Sequence, residues 1–165
     1  MLFRSNTAIL RAAKVLAPAD IEVELFDYLG NLPPFNPDLE ETHLPAAVSR
    51  FRGQVALATA LLISSPEYAH GVPGSLKNTL DWLVGDTRFA GKHFALIGIE
   101  GRAEYAQAAL RETLRTMAAQ IVEPACVVLA HRARLFDTET LIADSEVVAL
   151  LRAALISLAR AARGE

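Results

Sequence analysis

The chain has 165 residues, 52% of them hydrophobic and 21% charged, which is the length and mix of one soluble globular domain able to bury a core. A net charge of −3 argues against a broad nucleic-acid footprint. The single cysteine, Cys126, excludes an intrachain disulfide and suits a reducing cytoplasm. No apolar signal segment opens the chain, because Arg4, Ser5 and Asn6 interrupt it. The most apolar stretch near the end, "VVALLRAALISLARAAR", carries Arg152 and Arg160 and is too short to cross a bilayer. The expectation is one cytoplasmic domain over residues 1–165, without nucleic-acid or membrane partners.

Residues 6–17 set Ile9, Leu10, Ala13 and Leu16 on one face, the spacing of a helix that Pro18 stops. "IEVELFDY" (21–28) alternates apolar and acidic residues and predicts a strand. A long loop follows, punctuated by Pro33, Pro34, Pro37 and Pro45. Residues 46–58 predict a helix despite Gly53, and "TALLISS" (59–65) a buried strand. After the loop at 65–75, "GSLKNTLDWLV" (74–84) aligns Leu76, Leu80 and Leu83 as a helix. "HFALIGI" (93–99) predicts a strand, 104–119 a helix, "EPACVVLA" (123–130) a last strand and 144–162 a last helix.

Strands of continuous apolar character alternating with helices predict a parallel sheet covered on both faces. Ligands of such folds sit outside the carboxyl ends of the strands, where strand order reverses. That rule selects the start of the first helix, residues 65–75 and residues 99–105. The middle loop, "SSPEYAHGVPGSLKNTLDWL" (64–83), is the most unusual stretch. Pro66 ends ladder pairing, and Gly71 and Gly74 permit close backbone approach to a ligand. On spacing alone this is either an ordinary strand–loop–helix turn or a seat for a flat, partly polar aromatic ligand beside Tyr68.

"PEYAHGVPGSLKNTLDWL" strongly resembles the signature of the NAD(P)H-dependent FMN reductases, which include chromate, quinone and azo-dye reductases of flavodoxin-like fold. Ala69 stands where the family commonly has Asn. The resemblance extends through "SNTAILRAA", "LPPFNPDLE" and "AGKHFALIGI". It implies a doubly wound parallel sheet in three α/β/α layers. It also implies that Pro66, Glu67, Tyr68 and Ala69 border the FMN ring, that Arg4, Ser5 and Asn6 lie at the phosphate, and that Ile99, Glu100 and Gly101 form a third wall. NADPH or NADH is implied as transient hydride donor, in a ping-pong cycle ending on a small-molecule acceptor: a quinone, free flavin, azo dye or metal oxyanion. The implied assembly is a homodimer or homotetramer; Trp82, with Leu80 and Leu83, reads as core or as a subunit contact, and the resemblance favours the contact because this region of the family contributes to dimer packing.

Two departures qualify the resemblance. The family opens on a strand followed by Gly-Ser-x-Arg-x-x-Ser-x-Asn, of which only Arg4, Ser5 and Asn6 have counterparts here, so the first strand is expected to be absent. In the order 2-1-3-4-5 that strand is an inner one. Its loss leaves neighbouring backbone edges unpaired, at roughly 1–3 kcal/mol per buried amide. Either residues upstream of Met1 belong to the protein, the preferred account, or the chain is a shortened relative. Glu100, where relatives carry a small polar residue, is expected to face solvent or to pair with Arg102.

No side-chain constellation looks catalytic, and His43, His70, His93 and His131 lack the i, i+4 pairing of a metal site. His70 lies in the middle loop and is read as solvent-exposed or touching substrate; Cys126 is read as an inert core residue. A flavodoxin-like remnant acting as a binding module is the alternative from another class. A flavodoxin-type electron carrier is a weaker third.

Overall fold

The computed structural model describes residues 3–130 and 137–165, with the side chains of Phe3 and Arg4 outside that set; His131 also falls outside it. Three parallel ladders form the sheet. The strand β1 (Ala60–Ser64) pairs with β2 (His93–Ile99) from Ala60 opposite His93 to Ser64 opposite Ile97. On the other side of β2 lie two short strands in succession, β3 (Gln120–Ile121) and β4 (Val127–Leu129).

Alternation along β2 divides the core. Phe94 and Leu96 face a cluster built by α3 (Ala46–Leu57), α4 (Gly74–Asp81) and α5 (Glu104–Thr116), through Val48, Phe51, Leu80, Leu110 and Leu114. Ile97 and Ile99 face the opposite cluster, built by α1 (Phe3–Leu16), α6 (Thr138–Ala143) and α7 (Ser145–Arg163), through Ile9, Ala12, Leu141 and Leu151. The result is the expected three-layer α/β/α arrangement, with β2 buried on both faces.

Three expectations are corrected. The predicted strand at 21–28 joins no ladder. In the expected order its partner is the strand preceding the first helix, and no such strand occurs among the described residues, so β1 has no ladder partner on its outer side either. Side chains hold the segment instead: the Phe26 ring lies 4.8 Å from Phe51, and Tyr28 donates its hydroxyl to Gln54. The predicted strand at 123–130 is shortened because Pro124 cannot donate to a ladder, and Glu123–Ala125 forms a 3-10 turn. The proline-rich loop contains a helix, α2 (Pro37–Thr42), because Pro37 occupies its first turn and Asn36 caps it by accepting from the Asp38 N–H at 2.9 Å.

Candidate functional site

Adjacent parallel strands end together, so Ser64 and Ile99 deliver their following loops to one edge of the sheet. The first turn of α1 arrives at the same edge: the Ser64 hydroxyl donates to Asn6 Oδ1 at 2.8 Å. Ser5 and Asn6 are both buried there, and this turn carries no acidic residue. Its backbone N–H groups precede the first intrahelical acceptors and keep the positive end of the helix dipole. The Arg4 side chain lies outside the described residues, although its backbone belongs to α1.

The loop after β1 folds back on itself. Tyr68 and Gly71 exchange backbone hydrogen bonds at 3.1 and 2.9 Å, with Ala69 and His70 between them at φ of +48° and +57°. Two central residues of positive φ are the mark of a type I′ turn, which places Ala69 and His70 outward at the tip, both exposed. Pro66 and Glu67 are half-buried behind them. The Glu67 carboxylate accepts from the Ala106 N–H at 2.9 Å. It thereby caps α5, whose own N-cap position, Ala103, has no side-chain acceptor.

The loop after β2 turns at Gly101, with φ of +64° and an Arg102 N–H to Ile99 carbonyl bond of 3.0 Å. Ile99 is buried, whereas Glu100 and Gly101 are exposed. A Cβ on Gly101 would meet nothing within 4 Å, so the backbone borders open space. The Glu100 N–H donates to the Leu129 carbonyl at 2.9 Å, and its side chain faces solvent. At the end of this loop the Tyr105 ring stacks on His70, centroids 4.4 Å apart and planes 20° from parallel.

The second half of the quoted motif has a different task. Asn78 accepts from the Phe35 N–H at 2.7 Å and donates to the Pro33 carbonyl at 3.0 Å. Trp82, one turn later at the C-cap of α4, donates its indole N–H to the same carbonyl at 2.8 Å. Trp82, Leu80 and Leu83 are 0%, 2% and 3% exposed, so they belong to the core of the chain and offer no surface to a subunit contact. Cys126 is half-buried and packs against the same core cluster.

Sequence reasoning missed Ser64, Tyr105 and Ala106. Ser64 and Tyr105 fall at the ends of the selected stretches 64–83 and 99–105 but were given no role there, and Ala106 acts through its backbone alone. Among the described residues no group of three or more His, Cys, Asp or Glu side chains could hold a metal, and no helix is long and apolar enough to cross a membrane.

Residues 4–134 match the family described as NADPH-dependent FMN reductase. The chain belongs to that family. It is an oxidoreductase with FMN as cofactor and NAD(P)H as hydride donor, passing electrons through the flavin to an acceptor. It is 34% identical to an NAD(P)H-dependent FMN reductase of Pseudomonas aeruginosa, over 93% of this chain and 85% of that protein. It is 38% identical to a 2-hydroxy-1,4-benzoquinone reductase of a Burkholderia species, over 56% of this chain but only 51% of that protein. The solved structure of FerB, a flavoenzyme NAD(P)H:(acceptor) oxidoreductase from Paracoccus denitrificans, superposes with a TM-score of 0.71 at 24% identity, covering 94% of this chain and 90% of that one. The fold is flavodoxin-like.

The residues at the sheet edge fit FMN in kind. An acid-free helix end of backbone donors suits a phosphate. The turn at Gly101, open to space, suits a ring approaching backbone.

Proposed function

We propose that this reductase holds FMN across the carboxyl edge of β1 and β2 and passes electrons from NAD(P)H to a quinone. Arg4, Ser5 and Asn6 lie at the phosphate, received by the backbone N–H groups of the first turn of α1. Pro66, Tyr68 and Ala69 border the flavin ring on one side, and Ile99, Glu100 and Gly101 on the other. Glu67 belongs to this site as a tether, because its carboxylate is engaged by the Ala106 N–H. The observation that carries the reading is the convergence of three loops, one an acid-free helix end, on the edge of two adjacent parallel strands in a member of this family.

When bound, the flavin supplies the hydride and electron chemistry, and the protein binds, orients and excludes water. The net reaction takes one NAD(P)H, one proton and one quinone to NAD(P)+ and hydroquinone. The quinone class is supported by the benzoquinone reductase of Burkholderia among the relatives. We assign the chain a cytoplasmic location on its single cysteine, one domain over residues 1–165, and a homodimer or homotetramer. With Trp82 in the core, the candidates for a subunit contact are among the exposed apolar side chains, Leu57, Val84, Val15 and Val128.

Titration of the apoprotein with FMN, followed by flavin fluorescence, tests the reading. Saturable quenching, then NAD(P)H oxidation on addition of a quinone, is the expected result. A folded protein that leaves FMN fluorescence unchanged overturns it.

A further inference from the structure

We infer that Tyr105, backed by His70, is the shelf on which the flat ring of the electron acceptor rests, which makes it a specificity-determining residue. This rests on the flavin site proposed above. His70 directly follows one proposed wall of that site and Tyr105 lies four residues beyond the other, so their stacked rings close its rim. Tyr105 remains 60% exposed even with one face covered by His70, and its outer face is aromatic surface presented to solvent. A third flat ring would extend the stack, in the offset geometry that aromatic pairs favour.

The pair is held in place from both sides. Glu67 bonds the N–H of Ala106, the neighbour of Tyr105, and so fixes the loop that carries His70 to the helix that carries Tyr105. The left-handed backbone of Ala69 and His70 turns the imidazole onto the tyrosine, and Ala103, at φ of +89°, starts α5 from a similar outlier. Three non-glycine residues in left-handed backbone within two short loops are costly, and such outliers collect where a surface must be presented in one orientation. The shelf is a flat aromatic face, so it takes a planar conjugated acceptor such as a naphthoquinone and offers no matching surface to a compact octahedral anion.

The test compares kcat/KM for 1,4-naphthoquinone with that for ferricyanide in the FMN-loaded wild type, Tyr105→Leu, Tyr105→Phe and His70→Asn. Leucine keeps bulk but not a flat ring, phenylalanine keeps the ring, and asparagine tolerates the left-handed turn while removing the backing. Tyr105→Leu is expected to lower the naphthoquinone-to-ferricyanide ratio about three- to tenfold, the range of one aromatic stacking contact. His70→Asn lowers it in the same direction, and Tyr105→Phe restores it to within about twofold of wild type. An unchanged ratio in Tyr105→Leu, or an equal fall in Tyr105→Phe, overturns the shelf while FMN quenching still upholds the flavin site. Absence of FMN quenching in the wild type overturns both.

Discussion

Ala69 is one of three alanines at positive φ among the described residues, and replacing it yields a prediction with a sign. It occupies the first central position of the turn closed by Tyr68 and Gly71, at φ of +48°. Left-handed backbone costs an alanine about 1–2 kcal/mol, because Cβ crowds the carbonyl oxygen. His70, at +57°, belongs to a residue type enriched in that region, so alanine bears most of the misfit. Asparagine visits this region readily and its side chain bonds locally, so Ala69→Asn should recover about 1 kcal/mol. The side chain at this position is exposed, so the larger group meets no packing. For a chain of this length that gain raises Tm by about 2–4 °C. Ala69→Val, β-branched, should lower Tm by a similar or larger amount. Thermal unfolding of the apoprotein followed by circular dichroism reads both variants. Shifts of the same sign for Asn and Val, or no shift for either, would refute a left-handed residue 69 closing this turn.

Trp82→Phe removes the indole N–H that donates to Pro33 and leaves a small void in the core cluster, so stability should fall by about 1–3 kcal/mol, read as a lower urea midpoint at unchanged slope. Asp86 is buried, and the fork of hydrogen bonds from Arg88 outweighs burial to hold its carboxyl below the usual carboxylate range. Because the folded form binds this proton less readily than the unfolded chain, the contribution is fully present above the unfolded value. It is lost as pH falls through the lowered folded value, so urea midpoints measured from pH 6 downward should decline more steeply in wild type than in Asp86→Asn.

Periodicity was a reliable guide where a segment's own pattern decides its form. β2 keeps the bounds read from "HFALIGI", and β1 lies within the apolar run at 59–65. It misled where form depends on a neighbour. "IEVELFDY" has the alternation of a half-buried strand, but a ladder needs a second strand, and Phe26 and Tyr28 pack on α3 without one. Proline was read only as a breaker, although Pro37 behind an Asn36 cap begins a helix. The site was legible as loops, not as contacts. The partners Asn6 and Ser64 are 58 residues apart, and Glu67 and Ala106 are 39 apart, separations across which local pattern carries no information. The signature itself was visible, but not that Asn78 and Trp82 serve the loop at Pro33 rather than the flavin edge.

The two ends of the proposed site are prepared by opposite means, and that difference has consequences for substitution. The end proposed for the phosphate is a regular helix terminus, whose donors exist because α1 is a helix, so it needs no strained residue. The end proposed for the flavin ring is built from irregular backbone, in which Ala69, His70 and Ala103 all have positive φ. At about 1–2 kcal/mol each, such residues draw on a net stability of about 5–15 kcal/mol. They persist because the Tyr68–Gly71 bonds, the Glu67–Ala106 bond and the turn at Gly101 hold the loops from several directions. A loop already held in its binding shape loses less freedom when a ligand arrives. Relief of strain at Ala69 should therefore register in stability, with the shape of the turn retained. Loss of the tether, as in Glu67→Ala, should register in flavin affinity, because the loop would then have to be ordered by the ligand it receives.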